Sequence, residues 1–393
     1  MTLTEKLLAR ASGKAAVVPG ENVWVNTDIL LTHDVCGPGT IGVFKREFGK
    51  KARVWDRNKI VIIPDHYIFT VDSLSNRNVD ILRDFVQEQG LPYFYDVIDD
   101  PNGHWIFDAG RGQLKRQYGA RFAGVCHTAL PAKGHTRPGE ILFGTDSHTC
   151  MAGAFNMFAT GIGNTDAGFI LGTGKLLIKV PPTMRFYLEG KLPRGVMAKD
   201  VVLHVIGEIG FDGATYRAMQ YEGPGAHELN MDDRMTIANM AIEAGGKNAV
   251  FPADEKTFAY VDERTKRNGT KSDYTPVDLD KDQTFFYDQR VNLSELEPTV
   301  AQHPDPGQRA LAKELGKIQL DRAYIGSCTG GKTSDFLAFA EVLKGRKVKI
   351  DTFGVPATPD VVADLQGTMI DGKSVWKHLE SAGVQMTENA SCA

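Results

Sequence analysis

The sequence predicts an α/β protein, and three observations carry that expectation. Short apolar runs end repeatedly in His or Asp, helical periods separate them, and Gly and Pro punctuate both. Ile60-Val61-Ile62-Ile63-Pro64-Asp65-His66 is apolar throughout and stopped by Pro, as a strand buried on both faces should be. Ala123-Gly124-Val125-Cys126-His127 and the run from Glu140 to Thr145-Asp146-Ser147-His148 repeat the plan. In open α/β sheets ligands gather beyond the carboxyl ends of the strands, so the repetition is a functional signal as well as a structural one.

In chain order, Leu3 to Ala11 has the spacing of a short amphipathic helix, and Val23 to Asp28 reads as a strand entering a loop. After the strand at 60–63, Asn76 to Gln89 is helical in period and Tyr93 to Ile98 is again strand-like. The segment 123–127 and the segment 140–148 are expected as strands, and the Gly- and Ala-rich stretch Ala152 to Leu171 as a packed helical segment. Val180-Pro181-Pro182 marks a boundary, so a first domain is expected over 1–182. Met184 to Leu188 starts a second α/β unit reaching Asp254, followed by a polar linker from Asp262 to Asp305, giving a second domain over 183–305. Leu320 to Ile325 and Val348 to Val355 are strands of a third domain, 306–393. At 393 residues the chain exceeds what one core usually supports, which agrees with several domains.

Composition narrows the function. Apolar residues make up 42% and charged residues 24%, ordinary for a soluble globular chain. A net charge of −4 offers no broad basic surface, so neither nucleic acid nor a membrane surface is expected as a partner. No apolar run approaches the length of a bilayer span, and the first residues lack the apolar segment of a secretory signal. Five cysteines, an odd number, point to reduced thiols and a reducing compartment. That means the cytoplasm of a prokaryote, or a plastid or mitochondrial matrix in a eukaryote.

Two glycine pairs, Gly161-Ile162-Gly163 and Gly172-Thr173-Gly174-Lys175, fit neither nucleotide fingerprint and are expected to serve close packing. The histidines are more informative. Asp65-His66 sets a carboxylate beside an imidazole, which holds the ring protonated and oriented as a general acid requires. Asp146-Ser147-His148 adds a hydroxyl to the same pair, and His33-Asp34 and His127 join them as candidates for one polar pocket. No short His spacing supports zinc. Cys36, Cys126 and Cys150 are read as small buried hydrophobes. Cys328, in Gly326-Ser327-Cys328-Thr329, is different: small residues let backbone amides approach a metal-bound sulfur, and Ser391-Cys392-Ala393 supplies a second such thiol.

Gly326-Ser327-Cys328-Thr329, Thr145-Asp146-Ser147-His148-Thr149 and Pro64-Asp65-His66 together resemble the aconitase superfamily. The start at Thr2-Leu3-Thr4-Glu5-Lys6 and the stretch Met235 to Gly245 resemble its isopropylmalate dehydratase large-subunit branch. The resemblance implies three-layer α/β/α domains around a cluster-binding cleft, the last domain incomplete. It implies a 4Fe–4S cluster held by Cys328, Cys392 and a third cysteine three residues further on, which this sequence does not contain, so the chain resembles a C-terminally truncated member. It implies that His66, supported by Asp65, protonates a departing hydroxyl, that His127, Asp146 and His148 are active-site residues, that Ser147 donates to a substrate carboxylate, and that His33 contacts substrate. Gln220 stands where relatives carry Glu, replacing a charged partner of His148, and Gly330 stands where Asn is usual.

The implied reaction is an isomerising dehydration and rehydration of a 2-hydroxy dicarboxylic acid, 2-isopropylmalate to 3-isopropylmalate in leucine biosynthesis. The C–H base would be a serine on the swivelling domain of a separate small subunit. Homoaconitase or citramalate/methylmalate isomerase is the alternative within the superfamily. A cluster-free RNA-binding protein or assembly scaffold is the alternative outside catalysis.

Overall fold

A computed structural model describes residues 1–68, 73–97, 105–108, 113–116, 121–388 and 390–392. The chain divides into two compact units, each discontinuous in sequence. The first comprises 1–30, 133–166 and 174–319, and the second 31–132, 167–173 and 320–393.

The first unit opens with the helix Leu3–Ser12. Thr2 caps it: its hydroxyl accepts from Glu5 N while Glu5 returns a bond to Thr2 N, which satisfies two of the amides a helix start leaves open. The main sheet of this unit is parallel, in the order Asn248–Val250, Ala218–Glu222, Thr183–Glu189, Tyr287–Asn292. The helices Ala198–Ile209 and Met231–Asn239 bury apolar faces against neighbouring elements, which is the layered α/β plan expected from the sequence. Its outer strand, Tyr287–Asn292, lies inside the stretch expected to be a polar linker. That expectation fails because an edge strand with alternating exposure needs few apolar residues, and the helix Glu255–Asn268 also runs into the same stretch.

The Gly- and Ala-rich segment 152–171 is likewise not one helix. A 3-10 helix, Ser147–Phe155, gives way to the strand Phe158–Gly161 and then to the helix Asn164–Thr173. Gly153 explains the first part: a Cβ there would lie 1.5 Å from the carbonyl oxygen of Ala249, so only Gly permits this stretch to press onto the strand Asn248–Val250. The strand before it is Ile141–Gly144, shorter than the expected 140–148.

In the second unit, Tyr93–Phe94 pairs in parallel with Ile60–Ile62, next to Ile29–Thr32, at which the chain leaves the first unit. The helices Gly37–Phe48 and Ser73–Gln89 meet through the edge-on rings of Phe44 and Phe85. Ile98 of the expected strand 93–98 lies outside the described residues. A separate parallel sheet, Arg322–Ile325, Asp351–Gly354 and Gln385–Met386, is packed by the helices Thr333–Val342, Pro359–Gly367 and Val375–Ser381 around Phe336, Leu365, Val375 and Leu379. Segment 123–127 is not a strand: Gly124 is at φ +89 and a helix, Cys126–Ala132, follows directly. No helix among the described residues is long and apolar enough to cross a membrane.

Arg234, only 1% exposed, is the largest fully buried side chain among the described residues and donates from both terminal nitrogens to Asp254. Burial raises the Asp254 carboxyl, but the Arg234 hydrogen bonds and charge outweigh it and hold it at about 2. Arg234→Met should lower stability by about 3–5 kcal/mol in urea unfolding at neutral pH, because it strands a buried carboxylate. Since the folded value lies below the ordinary one, that deficit should shrink as the pH falls through the carboxylate range.

His135 is held down to about 3, by burial first and then by the charges of Arg137 and Lys133. The unfolded chain therefore takes up this proton first, and stability falls by about 1.4 kcal/mol per pH unit below the ordinary histidine value. His135→Gln should flatten the acid limb of the stability–pH curve between about pH 6 and pH 4, and an unchanged slope would refute this.

Candidate active site

Two groups of polar side chains stand out, one in each unit. In the second unit the strand Ile60–Ile62 delivers Asp65 and His66 just past its end, as its apolar run and Pro64 predict. Asp65 is fully buried. Its Oδ1 lies 2.7 Å from His66 Nδ1, and its Oδ2 accepts from the Cys126 backbone N–H at 2.6 Å. Asp34, equally buried, uses one carboxylate oxygen for the N–H groups of Asp65 and His66 and the other for that of Tyr67. The turn carrying His66 is thus clamped by a single side chain, in a local amide-to-carboxylate arrangement that a charged acceptor makes strong. His33 stacks on His66 with ring centroids 4.0 Å apart.

The cysteines converge on the same residues. Cys328 is buried at the start of the short helix Ser327–Gly330, and Ser327 takes φ +68, a left-handed conformation seldom adopted by non-glycine residues. The Cys392 backbone N–H donates to the Asp65 carbonyl at 2.9 Å, and the Ser391 hydroxyl to the His66 carbonyl at 2.8 Å. Hydrogen bonding with Cys126 does most to push the Cys392 thiol above the ordinary thiol range, with Cys328 and His66 acting in the opposite direction. Nearby, burial raises the Tyr324 hydroxyl, and the charges of Cys328 and Cys392 add to the effect.

One backbone segment ties these loops together. Ala357 accepts from Val125 N at 2.8 Å and donates to the Gly331 carbonyl at 2.8 Å. A Cβ on Gly124 would sit 2.1 Å from the Ala357 oxygen, so Gly is required for the Cys126 loop to reach this segment. Lys332, 1% exposed, donates from Nζ to the Thr329 carbonyl at 2.6 Å and pairs with Asp335, holding the Cys328 loop from the other side.

The donor set fits an iron–sulfur group better than a hard cation. Cys328 and Cys392 are sulfur donors beside an imidazole, and soft thiolates select iron–sulfur chemistry. His33, Asp34, Asp65 and His66 also bring ligand atoms within 4.8 Å of one another. There, however, every carboxylate oxygen already accepts a hydrogen bond from the turn, the imidazole or Cys126, so the quartet is a scaffold.

Of the residues singled out in the sequence, His33, Asp65, His66, Cys328 and Cys392 come together. His127 is buried in the first turn of the helix Cys126–Ala132. Asp146, Ser147 and His148 form their own group in the first unit. Asp146 caps the 3-10 helix through His148 N, and His148 Nε2 lies 3.0 Å from Glu243. Glu243, not residue 220, is therefore the charged partner of His148. Gln220 is instead a fully buried structural residue, accepting from Leu3 N and donating to Glu222 and Gln283. Sequence reasoning missed Glu243 because it is far from His148 in the chain, whereas Cys126 is buried as expected.

With this geometry in place, comparison with known proteins is direct. The aconitase family model (aconitate hydratase) matches residues 11–317, and the chain belongs to the aconitase family. Within it, the chain is 53% identical to the chloroplastic 3-isopropylmalate dehydratase large subunit of Arabidopsis thaliana, covering 100% of this chain and 74% of that protein. It is 42% identical to 3-isopropylmalate dehydratase large subunit 1 of Methanopyrus kandleri, covering 92% and 79%. To the large subunit of Acetivibrio thermocellus it is 40% identical, covering 92% and 80%.

Asp34→Ala would orphan three backbone N–H groups and should cost at least about 3 kcal/mol. Thermal unfolding reads that loss, and the His66 imidazole resonance should broaden or shift as its turn loosens. An unchanged melting temperature would remove Asp34 from this role.

Proposed function

We propose that the chain acts as the large subunit of 3-isopropylmalate dehydratase, interconverting 2- and 3-isopropylmalate by dehydration and rehydration in leucine biosynthesis. The observation that carries this reading is the convergence of Cys328 and Cys392 on the Asp65–His66 pair. Identity of 53%, over all of this chain and 74% of the relative, to a large subunit of that enzyme supports it. The chloroplastic relative supports a plastid location.

Loss of hydroxide at neutral pH needs a proton on the departing oxygen. Asp65 occupies Nδ1 of His66, so in the imidazolium the proton to be given up is the one on Nε2, and the neutral ring that remains keeps its Nδ1–H bond to Asp65. His33 stacked on that ring limits its rotation. Cys328 and Cys392 would hold the 4Fe–4S cluster, which when bound supplies a Lewis acid for the substrate hydroxyl and carboxylate. In the first unit, Asp146 and Glu243 hold His148. The C–H base belongs to the small subunit, so the large subunit alone should be inactive.

The test pairs reconstitution with complementation. Anaerobic iron–sulfide reconstitution of the chain extended to carry the third cysteine should give broad absorbance near ~400 nm that Cys328→Ser and Cys392→Ser abolish. With a small subunit, the protein should restore growth of a leucine auxotroph lacking the large subunit, and His66→Gln should lower kcat by about 10²–10⁴. Failure of complementation by a cluster-loaded complex would sink the substrate assignment. An extended chain, carrying all three cysteines, that takes up no cluster would sink the whole reading.

A further inference from the structure

Lys332 is only 1% exposed, and no step of the reaction proposed above uses it. A buried ammonium is costly to desolvate, and a long side chain loses rotamer freedom when it is fixed. Two acceptors answer the charge. The Thr329 carbonyl lies 2.6 Å from Nζ, and Asp335 Oδ2 lies 3.0 Å from it. The same Asp335 oxygen also accepts the Lys332 backbone N–H, at 3.0 Å. Neutral residues in place of a buried ion pair commonly leave a protein as stable or more so, so stability alone gives little reason for this pair.

What the ammonium holds is the turn that carries Cys328. Ser327 is at φ +68, a conformation that a non-glycine residue keeps only where its surroundings over-determine it. The helix Ser327–Gly330 has four residues, too few to persist by itself. Gly330 N donates to the Gly326 carbonyl at 3.1 Å, and the Gly331 carbonyl accepts from Ala357 N at 2.8 Å. Thr329 lies between these two anchors, and its carbonyl, one residue past Cys328, is the one the ammonium takes.

We propose that Lys332 is a positioning residue for the ligand Cys328: its bond to the Thr329 carbonyl keeps the Gly326–Gly331 turn in the conformation that presents the Cys328 sulfur to the cluster. A charged donor suits the task, because such a bond is roughly twice as strong as a neutral one. Asp335, on the following helix Thr333–Val342, anchors the lysine at its other end. The link to the cluster rests on the function proposed above, and the hold on the turn does not.

The experiment follows alkylation of Cys328 by N-ethylmaleimide in the reduced protein, peptide by peptide, with buried Cys150 of the first unit as the internal standard. Lys332→Met/Asp335→Asn removes both charges and keeps an amide oxygen for the backbone N–H at position 332. Its melting temperature should stay near that of the wild type. Its Cys328 should react at least about tenfold faster, the factor that loss of one charge-assisted hydrogen bond brings. Asp335→Asn alone keeps the bond to Thr329 and should leave the Cys328 rate unchanged. Lys332→Gln, neutral and one atom shorter, should match the double variant, and it stands in if that variant does not fold. In the chain extended to carry the third cysteine, the double variant should lose most of the absorbance near ~400 nm, and Asp335→Asn should keep it. An unchanged Cys328 rate in both lysine variants, or an equal rise in Asp335→Asn alone, overturns the proposal. A fast-reacting variant of the extended chain that loads as fully as its parent does so too. If the extended wild type takes up no cluster, the function proposed above fails, and the alkylation rates still decide whether Lys332 holds the turn.

Discussion

Everything in the second unit's site leans on Asp65. Its two carboxylate oxygens take the His66 ring and the Cys126 amide, its carbonyl takes the Cys392 amide, and its own N–H is held by Asp34. A fully buried carboxylate is costly to desolvate, and such a group is tolerated only when every lone pair finds a donor. The cost is met here by linking three chain segments far apart in sequence. The same bonds that keep the charge buried fix the imidazole and bring two cysteine backbones to one residue.

The first unit uses a related device for stability. Arg234 and Asp254 form a buried bidentate pair, with Thr257 bonded to both. His148 is held by its own cap residue, Asp146, on one side and by Glu243 on the other. In both units a carboxylate close in sequence positions an imidazole, Asp65 for His66 and Asp146 for His148, but His148 has a second carboxylate partner, Glu243, that is distant in the chain. Only that second partner cannot be read from the chain.

Much of the fold was legible. The helix Leu3–Ser12 was visible in its apolar spacing, and the Ile60–Ile62 strand in an unbroken apolar run ended by Pro64. Errors fell where local pattern and tertiary packing disagree. Val125 and Cys126 look like strand residues, yet the chain turns into a helix after Gly124 because that glycine must approach the Ala357 carbonyl. The stretch 262–305 is polar enough to pass for a linker, but an edge strand buries only alternate positions and needs little apolar character.

What the sequence determined by itself was the α/β class, the Asp65–His66 pair, the Asp146-Ser147-His148 group and the thiol on the Gly-Ser turn. Each is set by residues adjacent in the chain, so covalent connectivity alone guarantees the proximity. Tertiary structure decided that Glu243 serves His148, that Gln220 caps the first helix rather than touching a histidine, and that the amides of Cys126 and Cys392 both bind Asp65. Those contacts join residues scores or hundreds of positions apart. They exist only because buried amides and carboxylates must be satisfied, and no local pattern records which partner will do it.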